Sequence, residues 1–578
     1  MYNKVLLIVL FFSVSSYGQS WQWGKRGGAL EPLPLTYQHT QEQTYSLVTD
    51  NQKRIYGLSR VGFTGLDIDG VPKANFDSGS TPDDYALFSF GCDGSYRWSK
   101  IIGGLNDETV NLLQVDASNN IYMSGKFSDC HSDVNFPSRI DSDFINTHMD
   151  CRLLFLTKYD EDGNLQWIKR PQPVGVDVNA SYGQTASRGL QVDSSGNIYW
   201  LVALAPGTYA DGGFVNSQTG SNWFILKYNA NGDFLGVVPL NMQLSGSFGA
   251  KFIFKRNPNN GYFYLSTERL DDTDTAVVAG NSISGSTFLA CFDSLGNYLW
   301  HRTDTFPASG YLFLYDIVFD SENNIYIGGK MAGFSFGSFL GLTIPETIIP
   351  GFVMKVNPTA TQLLWSSYSN KGSENYGGIV LNGNELAYTS YCAGTDFTWG
   401  TQTLNASNIF NNEGTEVLLA RFNRDTGACL GLTKIPGNDG FNDVGTAITA
   451  DVSGDYILGG AIGGTLTFNN NQQITNSGSQ SDFFMAKYAT EACSPLAVNE
   501  FEKEKVTLYP NPVSDVVYVC IEESMMYSIY NMLGVKVMDG IVTDRNQGID
   551  VRSLANGCYL IQLGDRSATC QRLKFLKQ

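Results

Sequence analysis

One serine in the sequence lies in a pattern that can make a nucleophile. The stretch GFSFG at 333–337 matches G-x-S-x-G, which exposes a serine hydroxyl when it forms a strand-turn-helix elbow. The same stretch aligns within the chain with DFTWG around Thr398 and TLTFN around Thr467. Ser335 is therefore predicted to occupy a strand position of a repeat, and no catalytic residue is predicted.

Histidines and carboxylates are the other residues that can carry chemistry. The chain has four histidines, none of them in a metal-binding spacing such as HExxH: His39, His131, His148 and His301. Two of them share an insertion with Asp133, Asp141 and Asp143, where a solvated loop is favoured over a metal site. The turns DSSGN, DASNN and DSENN are shorter than a calcium loop, which needs six or more oxygens. We therefore predict no metal site and no cofactor.

Three tryptophans are candidates for stacking on sugars, because they lie outside the regularly repeated tryptophan position. They are Trp200, Trp223 and Trp399. Trp399 aligns with Phe336 and Phe468, Trp223 begins a predicted strand, and Trp200 follows a hairpin tyrosine. Each context favours packing in the core over ligand binding.

The ten cysteines include no CxxC pair, so a zinc or thioredoxin-like site has no support. Cys130 and Cys151 bracket a polar insertion, and a disulfide between them would close that loop. Cys558 and Cys570 are a second candidate pair. Scattered reduced or buried thiols are an equally good interpretation of both.

The composition excludes several classes of partner. The chain of 578 residues has a net charge of −18 and no cluster of Lys or Arg, which argues against nucleic acid or an anionic lipid surface. Aromatic residues make up 13% and charged residues 16%, and there are 61 glycines. Such a composition favours an ordered, β-rich fold with many tight turns.

The N-terminus has the organisation of a secretory signal peptide. Lys4 precedes the apolar run Val5–Val14, and a small-residue site predicts cleavage between Gly18 and Gln19. The apolar run is half the length of about 20 residues that a membrane span needs. We predict a signal peptide at 1–18, a secreted protein, and no transmembrane segment in the mature chain.

A strand-turn-strand pattern recurs along the chain. Its seven copies start at Tyr45, Asn111, Gly189, Lys251, Tyr315, Gly377 and Thr446. A second hairpin follows each copy, and its strand ends at Trp98, Trp167, Gly236, Trp300, Trp365 and Gly431 in the first six. The last copy, from Phe483, lacks its final strand. Two hairpins per unit predict four-stranded antiparallel sheets.

The missing strand is predicted at the other end of the chain. SWQWGKRGG (Ser20–Gly28) resembles SYRWSKIIGG (Ser95–Gly104), but no first hairpin precedes it. A ring closed by the N-terminal strand explains this permutation, because closure removes the open sheet edge. The sequence thus predicts an all-β, seven-bladed β-propeller over 19–493; a linear β-solenoid would not explain the permutation. The hairpins resemble the seven-bladed propeller repeats of exported bacterial proteins, a resemblance that bears on fold and hardly on activity.

The last part of the chain differs from the repeats. A polar linker at 494–505 leads to alternating strands over 506–578, which predict a small Ig-like β-sandwich. This segment resembles the C-terminal (type A) sorting domain of the bacterial type IX secretion pathway. The matching residues are Tyr509, Pro510, Asn511, Pro512, Asn531, Gly534, Gly557, Tyr559, Lys574 and Lys577. The resemblance implies passage through the outer membrane by the type IX translocon, removal of this domain, and an extracellular or cell-surface location.

The function indicated is binding or scaffolding at the cell surface. The faces and the channel of a propeller are where ligands bind, so we predict adhesion, or capture of a glycan or a protein. The sequence favours a non-enzymatic role. The alternative is an exported hydrolase or lyase acting on polysaccharide, which requires two carboxylates about 5 to 10 Å apart. Such a pair would come from different blades, so the sequence leaves this alternative open.

Overall fold

The computed structural model divides the chain into two compact units, residues 1–493 and residues 494–578. It describes residues 18–29, 42–62, 65–74, 76, 84–104, 108–127, 137–145, 154–171, 185–218, 222–245, 252–269, 271, 273–306, 312–331, 337–345, 348–372, 377–406, 414–438, 441–478, 481–493, 508–519, 524–532, 534–543, 547–563 and 571–578. In these ranges, no helix is long and apolar enough to cross a membrane.

The described part of the N-terminal unit is built from strands and one 3₁₀ turn at Ala210–Gly212. Its first strands are β1 (Ser20–Gly28), β2 (Gln43–Thr49), β3 (Ile55–Val61), β4 (Asp67–Ile68), β5 (Val71–Pro72), β6 (Asp84–Phe90), β7 (Tyr96–Gly103), β8 (Thr109–Val110), β9 (Gln114–Val115), β10 (Ile121–Lys126), β11 (Arg139–Ile140), β12 (Phe144–Ile145), β13 (Leu154–Tyr159), β14 (Leu165–Lys169), β15 (Ala186–Val192), β16 (Ile198–Leu204), β17 (Gly207–Tyr209), β18 (Phe214–Asn216), β19 (Asn222–Tyr228), β20 (Phe234–Leu240), β21 (Met242–Ser245) and β22 (Ile253–Arg256). The strands that follow are β23 (Phe263–Glu268), β24 (Thr275–Val278), β25 (Asn281–Ser282), β26 (Thr287–Phe292), β27 (Tyr298–Thr303), β28 (Leu312–Phe319), β29 (Ile325–Met331), β30 (Ser338–Phe339), β31 (Leu342–Thr343), β32 (Pro350–Val356), β33 (Leu363–Gly372), β34 (Gly378–Asn382), β35 (Glu385–Cys392), β36 (Phe397–Trp399), β37 (Gln402–Leu404), β38 (Glu416–Asn423), β39 (Cys429–Ile435), β40 (Val444–Ala450), β41 (Tyr456–Ile462), β42 (Thr465–Thr467), β43 (Gln473–Thr475) and β44 (Asp482–Ala489).

The long strands form antiparallel sheets that repeat one strand order. The orders are β2-β3-β6-β7, β8/β9-β10-β13-β14, β15-β16-β19-β20, β22-β23-β26-β27, β28-β29-β32-β33, β34-β35-β38-β39 and β40-β41-β44-β1. Each sheet is therefore the pair of hairpins that the sequence predicts. In the sheet that starts with β15, Val192 pairs with Ile198 across the turn Asp193–Asn197.

The N-terminal strand completes the last sheet. β1 pairs antiparallel with β44, from Ser20 opposite Ala489 to Gly27 opposite Phe483. It takes the place of the fourth strand that the last repeat lacks.

The core lies between neighbouring sheets. Tyr56 and Leu58 of β3, for example, pack in one fully buried cluster with Ile121 and Met123 of β10. The first strands of successive sheets contact one another, and β2 of the first sheet contacts β40 of the last. Apolar residues on both faces of the strands are buried in this way, which explains why several strands read as continuous apolar runs.

A short hairpin is inserted between the second and third strands of each sheet. The described hairpins are β4–β5, β11–β12, β17–β18, β24–β25, β30–β31, β36–β37 and β42–β43. Three pair directly with the outer strand of the preceding sheet: β4 with β1, β11 with β7, and β36 with β33. Another, β24, pairs with β21, which directly follows β20. These hairpins cover edges that would otherwise be open to pairing.

The two ends of the strands differ in every sheet, and we call each end an edge of the unit. At one edge, which we call the short-turn edge, tight turns such as Asp50–Arg54 and Gly91–Ser95 join the strands of each hairpin. At the other, which we call the long-loop edge, second strands end and lead into the inserted hairpins, and fourth strands lead to the next sheet. The row Gln43, Arg60, Tyr85 and Ile102 runs across the first sheet close to this edge.

A disulfide joins Cys92 to Cys493, which are 401 positions apart in sequence, with the two Cα atoms 5.7 Å apart. Nothing in the sequence selects this pair. The suggested Cys130–Cys151 disulfide lies outside the described residues. Cys558 carries a free thiol, so its suggested pairing with Cys570 is wrong.

The C-terminal unit has two antiparallel sheets around one core. The strands are β45 (Leu508–Tyr509), β46 (Val516–Val519), β47 (Met525–Asn531), β48 (Lys536–Val542), β49 (Gln547–Asp550), β50 (Gly557–Leu563) and β51 (Gln571–Lys577). They form the sheets β45-β46-β49 and β48-β47-β50-β51. Val517 of the first sheet and Ile529, Ile561 and Phe575 of the second share one buried cluster.

Candidate functional site

At the short-turn edge, the repeated aspartate serves the turn itself. Asp193 Oδ1 accepts hydrogen bonds from the backbone N–H groups of Ser195 (3.0 Å) and Asn197 (2.9 Å). Its Oδ2 accepts from the Asn197 side chain (3.1 Å) and the Tyr199 hydroxyl (3.1 Å). Burial acts to raise the pKa of Asp193, but these hydrogen bonds lower it below the ordinary value. Both carboxylate oxygens are thus engaged by the turn.

The same arrangement recurs in other sheets. Asp116 accepts hydrogen bonds from Asn120 and from the Tyr122 hydroxyl, and Asp320 accepts them from Asn324 and the Tyr326 hydroxyl. These are the turns that resemble calcium loops in sequence. Their carboxylates stabilise hairpins, as expected of Asx turns.

The repeated tryptophans also act at this edge, and they connect neighbouring sheets. Trp98 Nε1 donates to the carbonyl of Glu161 (3.0 Å), and Trp365 Nε1 donates to the carbonyl of Arg424 (3.0 Å). In each case the acceptor lies in the next sheet's second turn. A Cβ on Gly163 would lie only 2.6 Å from the Trp98 ring, so the turn glycine leaves room for the indole. This explains why glycine and tryptophan occur together in the repeat.

The long-loop edge carries a different set of side chains. At equivalent positions near the ends of the second strands, half-buried residues are Arg60, Lys126, Glu268, Lys330 and Tyr391. Three cations thus lie in one row of a chain whose net charge is −18. The residues come from separate strands far apart in sequence, so no local motif announces them.

Glu268 is the acid of this row, and its pKa is far from the ordinary value of a glutamate. Burial raises its pKa to about 8, although the charge of Lys330 on the neighbouring sheet acts to lower it. A carboxyl group with a pKa near neutrality can donate or accept a proton under physiological conditions. Perturbed acids of this kind are typical of functional sites.

Two more acids at this edge have partners that make them structural. Glu42 accepts hydrogen bonds from the backbone N–H groups of Ala29 and Gly62, and Asp443 accepts one from Gly463 (2.9 Å). Burial raises the pKa of Glu42 well above its ordinary value, and burial raises that of Asp443 to about 6. Both carboxyls tie the end of a second strand to the start of a first strand.

The tryptophans considered for sugar stacking are buried, as predicted. Trp200 donates to the Ser187 hydroxyl (2.8 Å), and Trp399 donates to the Ser367 hydroxyl (3.0 Å). Trp223 stacks on Phe252, with ring centroids 5.3 Å apart. In its hairpin, Trp399 corresponds to Phe339 and Phe468. Phe336, which the sequence aligned with Trp399, lies outside the described residues.

In the C-terminal unit, the motif Tyr509–Pro512 fastens the end of the chain. Asn511 Nδ2 donates to the carbonyl of Lys574 (3.0 Å), and the Leu576 N–H donates to Asn511 Oδ1 (2.9 Å). Val513, the residue after the motif, continues this pairing through backbone hydrogen bonds with Leu576 (2.8 Å) and Gln578 (2.9 Å). Two motifs separated by more than sixty residues in sequence therefore form one structural element.

The other sorting-motif residues surround the same sheet. Gly534, at φ +79°, closes the turn from Asn531 to Val535. The Tyr559 hydroxyl donates to the carbonyl of Ala555 (2.9 Å), and its ring stacks on Phe575. Gly557 pairs with Lys577 in β50 and β51. The side chain of Lys577 is buried, whereas those of Lys574 and Tyr509 are exposed.

Several candidates lie outside the described residues. They are Ser335, His39, His131, His148, Asp133, Cys130 and Cys151. Of the predicted cleavage site, Gly18 and Gln19 are described, and the Gln19 side chain accepts a hydrogen bond from Arg421 (3.0 Å).

Comparison with known proteins identifies the second unit. Residues 507–577 match the family model of the secretion system C-terminal sorting domain. The C-terminal unit is a secretion sorting domain. A type IX sorting domain marks a protein for export, so this protein is extracellular or located at the cell surface.

The N-terminal unit has more distant relatives. An uncharacterized WD repeat-containing protein of Acanthamoeba polyphaga mimivirus is 25% identical over 269 residues, which cover 41% of this chain and 19% of that protein. The chain therefore spans less than a fifth of the curated relative that it matches.

Solved structures similar to this chain include a propeller and an enzyme. The Dos1 propeller has 10% identity and a TM-score of 0.37, and the match covers 82% of this chain and 96% of that one. A polysaccharide lyase, an ulvan lyase, has 10% identity and a TM-score of 0.39, and the match covers 77% of this chain and 93% of that one. A protein of unknown function from Dyadobacter fermentans has 10% identity and a TM-score of 0.32, with coverage of 63% and 93%.

Proposed function

We propose that residues 19–493 form a closed, seven-bladed propeller and that residues 1–18 are a signal peptide. Two observations support closure: β1 pairs with β44, and β2 contacts β40, so the first and last sheets are neighbours. Each four-stranded sheet is then one blade, and the first strands surround the channel. Residues 506–578 form an Ig-like sorting domain joined by a linker at 494–505.

The exported propeller binds a ligand at its long-loop edge and acts in adhesion or in capture of a glycan or protein. The observation that carries this proposal is the contrast between the edges. At the short-turn edge, the repeated aspartates are occupied by the turns. At the long-loop edge, charged residues lie on equivalent strand positions where the blades differ from one another. A rigid scaffold with variable residues at one face is the usual organisation of a binding surface.

A binding experiment tests this function directly. The full chain is applied to an array of glycans and bacterial surface polysaccharides, and the bound fraction is measured for the unaltered chain and two variants. Lys126→Gln, at the long-loop edge, is expected to weaken binding. Lys53→Gln, in a short-turn-edge turn, removes the same charge and is expected to leave binding unchanged. An equal loss of binding in both variants would contradict the proposal.

The alternative of a hydrolase or lyase is favoured by Glu268 alone, because its pKa of about 8 suits a general acid or base. Incubation of the full chain with the polysaccharides that it binds tests this alternative. Release of reducing ends that Glu268→Gln abolishes, with binding retained, would establish an enzyme. Binding without product supports the binding role.

For the sorting domain, we propose that Asn511 is the residue through which the motif holds the terminal strand for the translocon. Asn511→Ala removes both side-chain hydrogen bonds to β51 and is expected to leave the protein inside the cell envelope. Asn556→Ala is the matched control, since it makes the same change at an exposed asparagine of the same unit that is not among the matching residues. Secretion of the Asn511→Ala chain at the normal level would contradict this role.

A further inference from the structure

One arginine of the N-terminal unit has an unusual position. Arg188 lies in β15, the first strand of its sheet, between Ser187, which pairs with Val202, and Gly189, which pairs with Leu201. Arg188 itself is the extra residue of a β-bulge. Bulges redirect a side chain out of the regular alternation and are frequent next to functional sites.

The residues on both sides of Arg188 are firmly held. The Ser187 hydroxyl accepts hydrogen bonds from Trp200 Nε1 (2.8 Å) and from the Asn111 side chain of the preceding sheet. A Cβ on Gly189 would lie 2.5 Å from Phe254 of the following sheet, so β15 is packed closely there. The backbone at Arg188 is therefore fixed by contacts with both neighbouring sheets.

The same bulge holds different residues in other sheets. The register shifts at the equivalent position of β2, β28 and β40, where the extra residues are Tyr45, Tyr315 and Thr446. Tyr315 and Thr446 are buried, whereas Tyr45 and Arg188 are half-buried. The bulge thus repeats, and Arg188 is the one cation among these four described residues.

The guanidinium of Arg188 has no counter-charge within the described part of the chain. It makes no hydrogen bond and no ion pair there, in contrast to Arg26, Arg54 and Arg97, each of which is paired with a carboxylate. Burial lowers the pKa of Arg188, and no carboxylate of the described residues opposes that effect. Taking a cation out of water without a partner is costly, so an arginine held in this state is suited to receive an anion.

We propose that Arg188 is the anion-recognition point of the long-loop edge and takes a carboxylate or sulfate group of an acidic polysaccharide. The proposal rests on the proposed function and specifies its ligand class. The planar guanidinium binds a carboxylate or sulfate through two parallel hydrogen bonds. Half-buried Tyr45, at the same bulge position of the first sheet, offers an aromatic surface for a sugar ring.

The test uses the full chain and four soluble polymers. Alginate presents carboxylates on sugars, dextran sulfate presents sulfates, dextran is the neutral counterpart, and polyglutamate is an acidic polypeptide. Arg188→Gln is expected to weaken binding of alginate or dextran sulfate by about ten- to hundredfold. Arg188→Lys keeps the positive charge but cannot form two parallel hydrogen bonds, so it is expected to lose less affinity than Arg188→Gln. Lys53→Gln, the charge-matched control, is expected to bind normally.

A stability measurement separates recognition from a structural role. Because Arg188 is an unpaired, half-buried cation, Arg188→Gln is expected to melt at the same temperature as the unaltered chain or higher. A clearly lower melting temperature would make Arg188 a structural residue and overturn the proposal.

The binding outcomes separate this inference from the proposed function. If the chain binds dextran and this binding does not depend on Arg188, the anion site is overturned but the proposed binding function is still supported. If the chain binds polyglutamate alone, the site is assigned to a protein partner and the inference is also overturned. A chain that binds none of the four polymers overturns the inference, and silence on the glycan array as well would reject the proposed glycan function.

Discussion

The two edges of the N-terminal unit treat their charged groups in opposite ways. At the short-turn edge, burial acts to raise the pKa of Asp193 and Asp320, but hydrogen bonds from their own turns, together with Lys355 beside Asp320, lower it. At the long-loop edge, burial raises the pKa of Glu268 to about 8 and lowers that of Arg188. The turn aspartates therefore use their charge to stabilise the fold, whereas Glu268 and Arg188 can be ionised at the long-loop edge only at an energetic cost. Groups kept at such a cost are the ones expected to serve function.

This comparison predicts that changes at the short-turn edge affect stability most, and that changes at the long-loop edge affect binding or proton uptake with less effect on the fold.

The disulfide at the short-turn edge is expected to give the largest effect. Cys92 lies in a turn of the first sheet, and Cys493 follows the last strand of the unit, so the bond joins both ends of the repeat. Replacing both cysteines with serine is expected to lower the free energy of unfolding by about 2 to 5 kcal/mol, because the unfolded chain loses a cross-link. Denaturant unfolding of the purified chain measures this.

The control for this prediction is chemical. A reductant should destabilise the unaltered chain to the same extent and should have no effect on the double serine variant. An unaltered chain whose unfolding midpoint does not move in reductant would show that the short-turn edge does not depend on this bond.

Two glycines with nearly the same backbone angle compare the edges directly. Gly163 at the short-turn edge has φ +79° and would place a Cβ 2.6 Å from Trp98, whereas Gly70 in the β4–β5 hairpin has φ +78° and open space around it. Gly70→Ala is expected to lower the free energy of unfolding by about 1 to 2 kcal/mol, because alanine disfavours a left-handed backbone. Gly163→Ala adds a clash of the new Cβ with the Trp98 ring and is expected to lower it by about 1 to 3 kcal/mol more.

The stability of both alanine variants is measured by thermal and denaturant unfolding under one set of conditions. If the two alanine variants lose the same stability, the indole does not pack on the turn as described. The explanation of the repeated glycine and tryptophan would then fail.

The sequence predicted the repeated elements better than the site. Hairpins are visible because their residues are neighbours: Asp193, Asn197 and Tyr199 lie within seven positions and act on one another. The sorting motif was visible for the same reason, although the bonds from Asn511 to β51 depend on residues more than sixty positions away. Glu268 and Arg188 were missed, because their properties come from burial between sheets. A carboxyl or a guanidinium looks the same in sequence whether or not it is paired.

Glu268 gives the last prediction, which concerns the pH dependence of stability. Its folded-state pKa of about 8 lies above that of the unfolded chain, so the folded state holds the proton more tightly. Between the ordinary pKa of a glutamate and pH 8, the unfolded state binds fewer protons, and stability falls as the pH rises through this range. Glu268→Gln cannot lose a proton, so its advantage over the unaltered chain is expected to be small at pH 5 and to grow by pH 8. Melting temperatures measured at both pH values test this, with Glu385→Gln as a control acid at the short-turn edge, where Glu385 contacts Arg421 and Tyr456. A Glu268→Gln variant whose advantage stays constant with pH would show that Glu268 ionises normally, and the contrast between the edges would then rest on Arg188 alone.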